Sequence, residues 1–280
     1  MKTTGLGVPT AGLALAVAVG TALAAATFVM SATAQETDDL AKQLANPIAS
    51  LISVPIQGNY NTNIGSAETG DRLTVNVQPV IPISLSEDWN MISRTIVPIT
   101  YQDEIFPGAG DQFGLGDTVQ SLFFSPQEVG PSGIIWGVGP AFLVPTGTDS
   151  LMSAGRWGAG PTGVILKQTG PLTVGALANH IWSFTDSDRT EEVSATFIQP
   201  FISYTQMGWT FSLNTETSYD WTADEWTVPI NAVVSKLSSI GNQPVQYFMG
   251  GRYWAVSPDT GPQDFGIRFG VTFLFPAGGR

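Results

Sequence analysis

The sequence has no cysteine and a single histidine, His180, in 280 residues. Without cysteine there is neither a disulfide framework nor a thiolate metal site. Charge is scarce too: Asp, Glu, Lys and Arg together make up 12% of the chain, where an ordinary soluble domain carries roughly a quarter. Cations are the scarcer sign, 11 Lys and Arg against 23 Asp and Glu, and they form no basic run. A nucleic-acid surface needs a basic face from which counterions are released, so that class is excluded. After residue 47 there is no apolar run of about 18 residues, which excludes any later transmembrane helix.

The place of the missing charge is taken by Gly, Ser, Thr, Asn, Gln and aromatics, with 31 Gly, 15 Phe and 8 Trp. This is the composition of an all-β chain rather than of a helical protein or a disordered tail. The amino terminus is different. Lys2 precedes an apolar stretch from Ala11 to Met30, and Ala32-Thr33-Ala34 leads into Gln35 and the acidic Glu36, Asp38 and Asp39. That order predicts a secretory signal over residues 1–34, cleaved at an A-x-A site. A retained anchor is the competing reading, disfavoured by the Ala- and Gly-rich composition and the lack of a cationic stop. Leu40 and Leu44 then stand at helical spacing, which predicts a short helix within a periplasmic segment, residues 35–47. We read it as a surface helix or frayed tail, with entry into the mouth of the fold as the alternative.

From residue 48 onward, runs bounded by Gly, Pro, Asp and Ser predict about twelve strands: 48–63, 71–84, 89–103, 114–126, 133–145, 157–168, 171–184, 192–205, 209–221, 225–236, 244–256 and 265–275. These are long. Globular strands peak near five or six residues, whereas a tilted strand crossing a bilayer needs about 9–11. Joins after even-numbered strands are short and those after most odd-numbered strands are long, as in barrels with short periplasmic turns and longer outer loops. The join 222–224 is the exception. A transmembrane antiparallel β-barrel over residues 48–280 is the predicted fold; a soluble sandwich is the alternative.

Faces are cleanest late in the chain. Trp209, Phe211, Leu213, Thr215, Thr217, Tyr219 and Trp221 alternate with Thr210, Ser212, Asn214, Glu216, Ser218 and Asp220. A cation on the lipid face at mid-bilayer costs about 2–4 kcal/mol, so Arg94, Arg252 and Arg268 are predicted to face the lumen, with Asn214, Glu216 and Asn231 beside them. Two readings of that group stay open: a patch selecting permeating solutes, and an internal ion-pair network that rigidifies the barrel. Trp89 and Trp209 at one end, and Tyr101, Trp182, Trp221 and Trp226 at the other, are candidate interfacial girdles. Trp136, Trp157 and Trp254 are not placed by this reasoning.

Catalysis finds little support. His180 and Ser183 fall on opposite faces of one strand, and no G-x-S-x-G elbow is present. Gly108-Ala109-Gly110 and Gly114-Leu115-Gly116 precede no helix, so a phosphate cradle is not formed. Asp186, Asp188, Glu191 and Glu192 lack calcium-loop spacing and read as a solvated outer loop, with divalent bridging to lipopolysaccharide as the alternative. No metal or cofactor is expected.

Five phrases carry a resemblance: Asn46-Pro47-Ile48-Ala49-Ser50-Leu51-Ile52, Gln78-Pro79-Val80-Ile81-Pro82-Ile83, Phe113-Gly114-Leu115-Gly116-Asp117-Thr118, Gly175-Ala176-Leu177-Ala178-Asn179-His180 and Phe269-Gly270-Val271-Thr272-Phe273-Leu274-Phe275-Pro276. With them the chain resembles a bacterial outer-membrane family of transporters, the meta-pathway phenol-degradation family, some of whose members carry the label neuromedin U. The resemblance implies a β-barrel in a Gram-negative outer membrane and passive passage of small solutes, aromatic or hydrophobic compounds among them. It implies no catalytic motif. The expected partners are outer-membrane lipid, lipopolysaccharide, a small-molecule solute and the barrel assembly machinery, the last through an aromatic terminal strand that Pro276–Arg280 extend. The alternatives are a structural or adhesive barrel with a plugged lumen, and a barrel hydrolase.

Overall fold

The computed structural model describes residues 35–186 and 192–275. Residues 1–34, on which the secretory-signal expectation falls, Asp188 and Glu191 of the acidic loop, and Pro276–Arg280 lie outside them.

Fifteen strand segments form one antiparallel sheet that closes on itself. They are β1 (Ile52–Ile64), β2 (Gly70–Val77), β3 (Val80–Ser84), β4 (Trp89–Asp103), β5 (Asp111–Leu115), β6 (Thr118–Pro126), β7 (Ile134–Val144), β8 (Gly158–Thr169), β9 (Leu172–Ser183), β10 (Ser194–Gln206), β11 (Trp209–Thr215), β12 (Thr217–Asp220), β13 (Glu225–Ile240), β14 (Gln243–Val256) and β15 (Phe265–Phe275). Three pairs, β2 with β3, β5 with β6 and β11 with β12, are single crossings interrupted midway, so the barrel has 12 strands. Closure is made by β1 on β15, with Ile52 opposite Phe275 and Tyr60 opposite Ile267. A closed barrel leaves no sheet edge unpaired.

Proline explains two interruptions and a bulge the third. Pro79, between β2 and β3, has no N–H for the ladder; register to β4 is the same on either side, from Val77 opposite Val97 to Val80 opposite Arg94. At Glu216, between β11 and β12, the continuous register places Pro229 of β13 opposite, again without an N–H. Between β5 and β6 the register slips by one, from Leu115 opposite Ile99 to Val119 opposite Ile96. That extra residue is a bulge at Gly116-Asp117.

The barrel is inverted relative to a soluble protein. Ile202, Phe211, Leu213, Ile230, Met249 and Ile267 point outward and are exposed, whereas Asn59, Gln102, Ser121, Asn231 and Arg268 point inward and are buried. Apolar residues face outward where hydrocarbon is the outer solvent. One end has the tight joins 170–171, 207–208 and 241–242; the other carries the longer joins 104–110, 145–157 and 257–264. The join 221–224 stays short at the long-loop end. Asp117 fastens the 145–157 loop: its carboxylate accepts from the Gly147 N–H at 3.0 Å, the Ser153 hydroxyl at 2.6 Å and the Ala154 N–H at 2.6 Å.

The amino-terminal segment departs from expectation in two ways. The first strand begins at Ile52, not at residue 48, and the helix, α1, spans residues 35–44 inside the short-turn mouth rather than on the surface. Ala41 packs with Ala49, Leu51 and the inward-facing Leu237 and Leu274. Ile48 sits on the far wall among Ile92, Phe123, Val164, Leu166 and Leu177. Gln168 donates to the Lys42 carbonyl at 2.9 Å, and Asp38 accepts the Gly208 N–H. A frayed tail has too little to bury; this segment finds an apolar ring inside the mouth, and burying Ile48 alone is worth about 1.5–3 kcal/mol.

Candidate functional site: the lumen

Five of the six lumen candidates meet in two clusters. Arg268 on β15 donates to Glu216 from Nη1 at 2.8 Å and from Nη2 at 2.7 Å, a bidentate pair. Arg252 on β14 reaches the same carboxylate at 3.2 Å. Asn231 on β13 donates to Asn214 on β11 at 2.9 Å. Arg94, on β4 across the lumen, is bonded to neither cluster and donates to Gln78 at 3.3 Å.

The alternation of these strands left several lumen residues unnamed. Asn59 accepts from Arg268 Nε at 2.8 Å and holds the guanidinium toward Glu216. Trp254 lies under Arg252, whose guanidinium carbon is 4.4 Å from the ring centroid, and its indole N–H donates to Asn61 at 3.2 Å. Gly266 makes room for that pair, since a Cβ there would stand 2.6 Å from the Asn61 Oδ1. Nearer the long-loop end, Arg72 donates to Gln102 at 2.8 Å and Gln102 to Gln112 at 3.1 Å. Arg72 lies in an inward-facing alternation like that of Arg94, and the same cost of a cation in lipid would have found it.

Two adjoining cavities occupy the middle and the short-turn side of the lumen. The larger, about 810 Å³, is lined by Arg72, Arg252, Arg268 and Glu216 and opens toward the long loops through Pro258 and Gly261. The smaller, about 240 Å³, lies against Leu44, Asn46 and Ala49 of the amino-terminal segment. Gln78, Arg94, Gln199 and Asn214 line both. These four residues stand where the two cavities adjoin.

The girdle candidates all lie on the exposed outer surface. At the short-turn end Trp89 meets Trp136 edge-on at 6.0 Å, and Lys236 sits 5.0 Å above the Trp209 ring. At the long-loop end the Tyr219 ring centroid lies 4.8 Å from that of Trp221 and 4.7 Å from that of Trp226, while Trp182 lies 4.0 Å from His180 with the rings tilted at 48°. Tyr101 is exposed at this end, and so is Trp157. His180 faces outward as well, bonded to the Thr196 hydroxyl at 2.7 Å, and Ser183 donates nothing to it: its oxygen accepts the Val193 N–H.

The chain is similar in structure to an outer membrane channel from Pseudomonas putida F1, with a TM-score of 0.63 at 13% identity, covering 81% of this chain and 96% of that one. The fold is that of an outer-membrane barrel. Weaker likenesses are to the outer membrane phospholipase of Salmonella typhi, a dimer with bound calcium (TM-score 0.46, 10% identity, 79% of this chain and 90% of that one), and to outer membrane phospholipase A from Escherichia coli (TM-score 0.46, 10% identity, 80% and 97%). No family model matches the sequence. No curated protein matches it either.

Proposed function

We propose that this chain is an exported channel of a Gram-negative outer membrane that passes small solutes passively. In this reading residues 1–34 are removed during export, residues 35–47 lie on the periplasmic side, and lipid and lipopolysaccharide surround the barrel. The terminal strand ending in Phe275 is the segment offered to the barrel assembly machinery.

One observation carries the reading: a cavity of about 810 Å³, lined by polar and apolar side chains, adjoins a second of about 240 Å³ at Gln78, Arg94, Gln199 and Asn214. Eight-stranded barrels are filled by side chains and 16–18-stranded ones hold open aqueous channels; a 12-stranded wall supports a narrow lumen between those limits. The outward apolar surface and the fold shared with an outer membrane channel support the location. The resemblance to the phenol-degradation family suggests aromatic or hydrophobic compounds among the solutes. The sequence has no nucleotide-binding motif, in keeping with passive passage.

The amino-terminal segment favours a second reading, a structural or adhesive barrel with a plugged lumen, because Ile48 is buried across the mouth. Planar-bilayer recording separates the two. Discrete conductance steps, altered in Arg252→Ala, support the channel; no current at any voltage and no liposome flux of phenols, sugars or organic acids would leave the plugged barrel. For a hydrolase, His180 is the sole histidine; esterase turnover retained in His180→Ala would remove its one histidine base.

A further inference from the structure

The larger cavity is electrically lopsided. Four guanidinium groups, of Arg72, Arg94, Arg252 and Arg268, line it against one carboxylate, Glu216. Glu216 is already engaged by Arg252 and Arg268. Among the described residues, Arg72 and Arg94 meet no carboxylate at ion-pair distance; their side-chain partners are the neutral amides of Gln102 and Gln78. A guanidinium does not give up its proton at any ordinary pH, and a charge withdrawn from bulk water needs a counter-charge. Three positive charges in the cavity therefore have no protein anion to balance them.

Most acids that make the chain anionic lie elsewhere; Asp117, in a neighbouring cavity that Arg72 also lines, has its carboxylate taken by Gly147, Ser153 and Ala154. Asp71, Asp103 and Asp111 share one rung on adjacent strands, in the outward-facing alternation at the long-loop end. The net charge of −12 thus conceals a cationic interior, and low-dielectric walls focus such a field along the lumen. The cavity is also two-faced. Across from β15, β1 and β4, which bear arginine and asparagine, Ile181 and Phe197 supply an apolar patch between Asn179 and Gln199.

We propose that the lumen is an anion site whose favoured solutes are small organic anions, with the acidic head on the Arg94 side and an apolar body against Ile181 and Phe197. The proposal rests on the channel reading for its physiological meaning, but the site itself can be read without current. Trp254 lines the cavity beside Arg252, so its emission, taken as the difference between wild type and Trp254→Phe in neutral detergent, reports which ions enter.

Relative to their quenching of free N-acetyltryptophanamide, iodide is expected to quench that emission at least fivefold more efficiently than caesium. Hexanoate is expected to relieve iodide quenching at lower concentration than hexylammonium. Arg94→Gln should lower the iodide constant severalfold and Arg94→Lys should restore it, while an unchanged heat-modifiable band shows that each barrel has folded. Equal quenching by the two ions, no quenching by either, or hexylammonium competing as well as hexanoate would overturn the inference. A barrel that carries no current yet keeps iodide preference at Trp254 retains the anion site and loses the channel reading. Conductance without anion preference does the reverse.

Discussion

Arg268 grips Glu216 with both terminal nitrogens, at 2.8 and 2.7 Å, across two intervening strands of the barrel wall. Arg252 shares the same carboxylate at 3.2 Å. One acid therefore holds two guanidinium groups that would otherwise repel each other, and it does so where Pro229 leaves its own strand without a ladder partner. Each prediction below starts from a contact of this kind.

Glu216→Gln keeps the shape and removes the charge, leaving Arg252 and Arg268 facing each other. Losing one partner of a buried pair costs about 3–5 kcal/mol, and an exposed pair about 0–1. Glu216 retains 20% of its side-chain exposure, which puts the expected loss at about 2–3 kcal/mol between those limits. Urea unfolding in detergent measures it, and a midpoint equal to wild type would show that the carboxylate holds nothing together.

Removing residues 35–50 takes away the helix and Ile48 without touching a strand. The apolar ring of Ile92, Phe123, Val164, Leu166 and Leu177 would then be wet, and single-channel conductance is expected to rise severalfold. Ile48→Ala gives a smaller version, loosening the segment by about 2–5 kcal/mol. Unchanged conductance in both variants would mean that the mouth is not the narrow point.

Adjacent residues test the two solvents. Ala232 points outward near the middle of β13, and Asn231 points inward and is fully buried. Ala232→Arg should cost about 2–4 kcal/mol in a bilayer, whereas Ala232→Leu should be close to neutral. Asn231→Leu strips the partner from Asn214 and should cost about 1–3 kcal/mol. If Ala232→Arg refolds into lipid vesicles as readily as wild type, the outer surface is not facing hydrocarbon.

Gly160 approaches the next strand so closely that a Cβ would lie 1.8 Å from the His180 carbonyl oxygen. Backbone cannot yield as a flexible side chain does, so Gly160→Ala is expected to impair assembly, by about 1–3 kcal/mol as overpacking does. Gly251, where a Cβ meets nothing within 4 Å, is the control: Gly251→Ala should assemble normally. The fraction of heat-modifiable barrel in membranes distinguishes them.

Much of this was legible in the chain itself. Strand length and two-residue alternation are local, one-dimensional properties, so they disclosed the number of crossings, the inward set of Arg94, Asn214, Glu216, Asn231, Arg252 and Arg268, and the opposite faces taken by His180 and Ser183. A cation cannot cheaply face lipid, and that rule needs no coordinates. Contacts across the cylinder are different. Which arginines reach Glu216 depends on the stagger of strands around a closed wall, and alternation along one strand says nothing about depth on another. The tertiary structure alone decided that Arg94 bonds Gln78 and makes no ion pair with Glu216, that Trp254 lies beneath Arg252, and that the segment before Ile52 crosses the mouth, because each depends on surfaces that come together only when β15 closes on β1.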